Sequence, residues 1–254
     1  MNITTAKLTR ICVSLIIVIL ILPCLSFAKI EMGDIAGLWL FDEGSGKVAK
    51  DSSGNGNDAE VPGAVKWKDG QFGKAVELDG TPNYITVPHN DMFNFGTDDF
   101  SMGCWMDAKR KDAYVIIKRN GGAGFWAMSA SIDRETGFFI FEGGGVHIDG
   151  GKTVIVNEGW HHCVAVRKKG TVSLYVDGEL DVEANIPANA DNPAEIKMGG
   201  WGSENHEGGL DEVFISKAGV ALTEDDVKYI MNGWVQAVSP AGKLAISWGA
   251  IKTQ

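Results

Sequence analysis

Oxygen-bearing side chains gather in the glycine-rich loop Asp51-Ser52-Ser53-Gly54-Asn55-Gly56-Asn57. Asp51, Asn55 and Asn57 recur at close to every-other spacing, so carboxylate, amide and backbone oxygens could converge on one point. Ca2+ takes such hard oxygen ligands in flexible number. Turn chemistry is the competing reading, with Asx side chains bonding their own backbone beside permissive glycines. A second polar group surrounds Trp201 in Gly199-Gly200-Trp201-Gly202-Ser203-Glu204-Asn205-His206, a loop too polar and glycine-rich to bury an indole easily. There Trp201 offers a ring to stack on a sugar, and Glu204, Asn205 and His206 offer hydrogen bonds. Trp126, in Gly124-Phe125-Trp126, is the next candidate platform and Tyr84 the third. Trp39, Trp105 and Trp160 sit inside strand patterns and are expected in the core.

Other chemistries find less support. His161 and His162 are adjacent, so on a strand they face opposite sides, while His89, His147 and His206 lie in separate segments. None has a Cys or His partner at zinc-like spacing. No string of carboxylates along one strand face suggests a glycosidase acid and nucleophile pair. Asp211 and Glu212 are neighbours and should alternate in direction; Asp98 and Asp99 read as turn residues. There is no G-x-S-x-G elbow. A non-enzymatic domain is therefore expected.

The elements that must hold these residues are short strands. In Trp160–Glu179, Trp160, His162, Val164 and Val166 share one side of a strand. His161, Cys163, Ala165 and Arg167 share the other. Lys168-Lys169-Gly170 closes a hairpin, Val172, Leu174 and Val176 alternate along its return, and Asp177-Gly178 signals a tight turn. Similar alternations, separated by Gly, Asn, Asp and Pro, run from Gly37–Phe41 through Leu210–Ile215. They indicate an all-β sandwich. Thr223-Glu224-Asp225-Asp226 begins one short helix, with Val227, Ile230 and Met231 on one face and Gly233 to stop it.

These segments resemble laminin-G-like, concanavalin A-like jelly rolls, a family related to the pentraxins. The likeness rests on several motifs in order. They are Trp160-His161-His162 with Leu174-Tyr175-Val176-Asp177-Gly178, Gly37–Asp58, Phe72–Gly80, Asp98–Met102, Gly208–Val213 and Ala221–Val227. The resemblance implies two antiparallel sheets with a short C-terminal helix, lectin-like binding and a Ca2+ ion. It also implies that first and last strands neighbour each other, bringing Asp42, Asp211 and Glu212 toward the Asp51 loop. In pentraxins a disulfide joins strands at places similar to Cys104 and Cys163, which implies that pairing here; two small buried thiols are the alternative.

Residues 1–28 read as a secretory leader: Lys7 and Arg10, an apolar run from Ile11 to Leu22, then Ser26-Phe27-Ala28. No second run of that kind follows, so no membrane span is expected after cleavage. Residues 29–233 form one jelly-roll domain, and 234–254 a tail whose Leu244, Ile246 and Trp248 alternate as an added edge strand. Net charge is −10 and grows more negative once Lys7 and Arg10 leave. No basic stripe is present, which argues against nucleic acid. The expectation is a secreted, periplasmic or cell-surface, non-catalytic module whose partner is a glycan or surface polymer. An adhesive module for an extracellular protein ranks second, and a glycoside hydrolase third.

Overall fold

A computed structural model of the protein describes residues 30–121, 124–131, 136–148 and 150–234. The expected leader, and the expected edge strand beyond Trp234, lie outside the described residues. The first part of the chain forms β1 (Ile35–Trp39), β2 (Val48–Ala49), β3 (Ala59–Glu60), β4 (Lys66–Asp69), β5 (Lys74–Asp79) and β6 (Ile85–Val87). Then come β7 (Phe100–Ala108), β8 (Ala113–Lys118), β9 (Trp126–Ala130), β10 (Phe139–Gly143) and β11 (Val146–His147). The meander adds β12 (Trp160–Lys168), β13 (Thr171–Val176) and β14 (Glu179–Asn185). The last strands are β15 (Ile196–Met198), β16 (Gly200–Trp201), β17 (Glu204–Asn205) and β18 (Glu207–Ser216), before the helix α1 (Glu224–Ile230).

The strands form a jelly-roll sandwich. One sheet runs β14-β13-β12-β7-β18-β5-β4, with β1 also on β18; the other runs β11-β10-β9-β8-β15-β6-β3-β2. The β16–β17 hairpin attaches to the second sheet, where Asn205 bridges to Tyr114 on β8. First and last strands do neighbour each other, since Leu38 lies opposite Phe214 and Trp39 opposite Val213.

Period-two alternation decides which side chains fill the space between the sheets. Met102, Cys104 and Met106 of β7, Cys163 and Ala165 of β12, and Val172, Leu174 and Val176 of β13 meet Trp126, Met128, Phe139 and Phe141 from the other sheet. Cys163 stands directly opposite Cys104, and both are buried free thiols. The turns follow their residues: Lys169 and Gly170 have φ of 50° and 81°, and Asp177 and Gly178 have 51° and 83°. Paired positive φ values match the twist of a two-residue hairpin.

Trp39 lies between the sheets as expected; Trp105 is buried too, but outside the sandwich, and Trp160 is only half-buried. Their neighbours Cys104, Met106 and Cys163 point inward, so alternation turns the two indoles onto the outer face of the first sheet. Phe72 and His162 cover Trp105, with ring centroids 6.1 and 5.3 Å away. Trp160 lies across Gly209, where a Cβ would strike the indole, and the Lys68 ammonium sits 5.2 Å from its ring. Farther along this face, Val227, Ile230, Leu222 and Trp234 cover Val164, Val166 and Phe214. The α1 cap is reciprocal: Asp226 N donates to Thr223 Oγ1 (3.2 Å) and Thr223 N to Asp226 Oδ2 (2.9 Å). Gly233 ends it at φ 95°.

Candidate functional site

Asp51, Asn55 and Asn57 do come together, and most of their partners are backbone groups of β1 and of their own loop, with the Ser53 hydroxyl and the Asn90 amide joining them. Asp51 accepts from Leu38 N (3.1 Å), Ser53 N (2.9 Å) and Asn57 N (2.9 Å). Asn55 Nδ2 donates to Ile35 O at 2.7 Å and Asn57 Nδ2 to Ala36 O at 2.8 Å. Trp39 Nε1 in turn donates to Asn57 O at 2.9 Å. This is the turn-chemistry arrangement: polar side chains replace a ladder and fasten the loop to the first strand.

Asp42 and Asp211 belong to a separate group, which Glu212 joins. Along one edge of β18, β5 pairs with Glu207–Leu210 and β1 with Val213–Ser216, so the partner changes at Asp211 and Glu212. The strand is bulged there, and Glu212 takes φ 47°, an uncommon backbone for a non-glycine residue. The bulge overturns simple alternation of the two acids: both carboxylates feel the charge of Asp42. The fully buried Asp211 accepts from Phe72 N at 2.9 Å through Oδ2; its Oδ1 has no partner of normal geometry, although the Gln71 and Glu212 N–H groups lie close enough to favour the charged form. Glu212 accepts from Trp234 N at 3.1 Å, and Asp42 from Lys74 N at 2.9 Å. Gly70 and Gly73 are required at the turn before β5, because a Cβ would meet Asp211 at the first and Asp42 at the second. Burial pushes both Asp211 and Glu212 up to about 7, with Asp42 adding to the rise.

The outer face of the second sheet carries a different constellation. Ile140 and Glu142 alternate with the inward Phe139 and Phe141, while Tyr114, Ile117 and Ala127 form a small cluster joined by Trp201. Glu142 is buried and both its oxygens are engaged, by Tyr114 Oη at 2.6 Å and His147 Nε2 at 2.8 Å. Burial, reinforced by Glu142, pushes the Tyr114 phenol well above its ordinary range, so it remains a donor. At the rim the Arg119 guanidinium lies 4.6 Å from the Trp201 ring centroid and 4.5 Å from that of Phe125. Tyr84 Oη donates to Gly202 O at 3.2 Å, and Lys197 Nζ lies 4.9 Å from the Tyr84 ring.

Of the expected ligand residues, Trp201 and Glu204 are half-buried at this rim. Three expectations need correction. Trp126 is fully buried between the sheets, tilted against Phe95 at 5.8 Å, because it occupies an inward position of β9. His206 is also fully buried, with Nε2 3.4 Å from Gly209 O, and burial pushes it down to about 4. Asn205 is buried where β17 meets β8, its amide oxygen close against the place a Cβ on Gly200 would take. Tyr114, Arg119, Glu142 and His147 were not anticipated. Their signal was a single acid, Glu142, closing the apolar run Phe139-Ile140-Phe141.

A family model described as the concanavalin A-like lectin/glucanases superfamily (Laminin_G_3) matches residues 79–228. The chain belongs to this family. Among solved structures, it resembles the binding domain of Paraclostridial Mosquitocidal Protein 1, with TM-score 0.66, 22% identity, and 80% of this chain and 53% of that one covered. Domain 4 of AbnA, a GH43 extracellular arabinanase from Geobacillus stearothermophilus, in complex with arabinotriose, gives TM-score 0.59 at 20% identity over 77% of this chain and 97% of that one. The ligand binding domain of botulinum neurotoxin serotype D in complex with N-acetylneuraminic acid gives 0.56 at 14% identity, over 81% and 52%. The chain thus spans about half the length of the two toxin chains. At these identities the likeness shows the concanavalin A-like fold alone. No curated protein matches the chain.

The meander histidines are structural: His161 Nδ1 lies 2.7 Å from Asp177 Oδ2, and the buried His162 is pushed down to about 4 by burial. Two buried pairs therefore oppose each other in pH. Unfolded histidines bind protons below 6.5 and the folded His162 and His206 only below about 4, so acidification through this window destabilises. Unfolded Asp211 and Glu212 ionise near 3.8 and 4.5 but the folded ones only near 7, so the same acidification stabilises. With chelator present, unfolding free energy from denaturant titration should change little between pH 4.5 and 6.5. The variant Asp211→Asn/Glu212→Gln should lose stability on acidification across that range; a slope equal to the parent's would refute the assignment.

Proposed function

We propose that the protein is an exported, non-catalytic carbohydrate-binding module whose ligand lies on the outer face of the second sheet, against Trp201. One observation carries this reading: a half-buried indole rests on Tyr114, Ile117 and Ala127, braced by the Arg119 guanidinium and bordered by the Tyr84 hydroxyl's loop contact and by Glu204. A sugar ring wants such an apolar platform with a few fixed polar groups at its edge. The family, and the neighbours solved with arabinotriose and N-acetylneuraminic acid, support the ligand class. Glu142 favours binding over hydrolysis, because Tyr114 and His147 hold both its oxygens and leave it poorly placed as an acid or nucleophile. Export is supported by the basic and apolar pattern of residues 1–28. Trp201→Ala should weaken binding to a soluble oligosaccharide panel by about tenfold or more in titration calorimetry, with the fold retained by circular dichroism. Undiminished binding would move the site elsewhere.

A structural Ca2+ ion belongs to the same reading, held by Asp42, Asp211 and backbone carbonyls of the turn before β5. The buried Asp211 carboxylate, whose Oδ1 makes no hydrogen bond of normal geometry and which feels the charge of Asp42, supports it. Among the described residues no three or more His, Cys, Asp or Glu side chains form a ready-made metal cluster, so main-chain oxygens must complete the set. A ligand that binds only the folded state raises stability. Added Ca2+ should therefore raise the thermal midpoint over chelator and do so less in Asp211→Asn; equal midpoints would exclude the ion. For Cys104 and Cys163, which face each other as free thiols in this structure, we propose oxidation to a disulfide in the exported protein. Non-reducing peptide mapping should find them linked, and two alkylatable thiols would refute the bridge.

A further inference from the structure

We infer that the glycan carries an anionic group, a carboxylate or sulfate on a sugar ring, and that Arg119 receives it beside the Trp201 platform. This rests on the carbohydrate reading of the site and goes further, to the charge of the ligand.

The state of Arg119 carries the argument. The two other described arginines spend their N–H groups on carbonyls: Arg167 donates to Asp98 O, Ala188 O and Gly96 O, and Arg110 to Gly80 O and Ser203 O. Arg119 makes no hydrogen bond or ion pair among the described residues, and its buried Nε has no partner. A buried donor left unpaired costs stability, and a nearby acceptor normally removes that cost. The chain does not lack acceptors, having 33 acidic residues against 23 basic ones. The lysines at positions 50, 68, 74, 109, 197 and 228 all lie within ion-pair distance of one.

What Arg119 has instead is two aromatic rings, Phe125 at 4.5 Å and Trp201 at 4.6 Å. Rings hold a guanidinium by its charge and its plane but leave the in-plane N–H donors unused. That fork matches the two oxygens of a carboxylate or sulfate. Trp201 is also the platform, so a sugar stacked on its ring brings a ring substituent within reach of the same guanidinium. Lys197, beside Tyr84, adds a second cation on that rim, though it also lies 3.5 Å from Glu195. Glu204 is a charge of opposite sign at the rim, felt by both Tyr84 and Tyr114; it suits hydroxyl groups of the same ligand. The net charge of −10 repels anions at long range, so recognition must come from this local contact.

The experiment compares matched oligosaccharide pairs on the whole mature protein: uronate-containing, sialylated and sulfated sugars, each beside its neutral counterpart. The protein should bind at least one acidic member about tenfold or more tightly than its neutral match. Whether the preferred member is carboxylated or sulfated distinguishes the two sources of charge. Arg119→Gln should erase that preference, bringing the acidic and neutral members of each pair to equal affinity whatever the loss of bracing costs both, and Arg119→Lys should restore part of it. A thermal midpoint for each variant separates lost recognition from lost fold. Equal binding of acidic and neutral members, or a preference that survives Arg119→Gln, would overturn the inference and leave the carbohydrate reading intact. Binding to no sugar would overturn both.

Discussion

Strand β18 is the member on which the sandwich depends. It pairs with β7 along one edge and with both β5 and β1 along the other, so the start, middle and end of the chain meet on it. A straight strand would leave little room for that exchange of partners. The bulge at Asp211 and Glu212 makes the room, and Phe72 N and Trp234 N donate to the two buried acids there. Polar side chains thus do locally what a ladder does elsewhere. The arrangement buries carboxylates in a place with little water, which is why both acids are pushed well above the ordinary carboxylate range.

Much of this was legible in the sequence because period two and turn chemistry are local. The strand Trp160–Lys168, the turns at Lys169-Gly170 and Asp177-Gly178, and the capped helix at Thr223 each depend on a few neighbouring residues. The Asp51 loop was legible as a convergence of polar groups, and in the structure they bond mainly to the backbone of β1 and of the loop itself. What the sequence left open depends on faces. Whether an alternating indole points between the sheets or away from them is a matter of register: Trp126 went inward, Trp105 and Trp160 outward.

The site on the second sheet was half legible for the same reason. Trp201 announced itself because glycines and polar residues surround it. Tyr114, Glu142 and His147 come from three strands and meet only once β8, β9, β10 and β11 lie side by side. Nothing in their separate sequence contexts encodes the contact. Adjacent acids at 211 and 212 misled in a related way, since alternation fails where a strand bulges.

The described chain enters and leaves on one side. Ile30 and Trp234 both pack under the helix on the outer face of the first sheet, where Asp226 Oδ1 accepts from Ile30 N at 2.9 Å. Tyr114 and Trp201 occupy the outer face of the opposite sheet. Both ends of the described chain therefore lie behind the face that carries Trp201, as a handle is fixed behind a blade. A wall, a neighbouring domain or a tether held at Ile30 or Trp234 would leave that face unshaded.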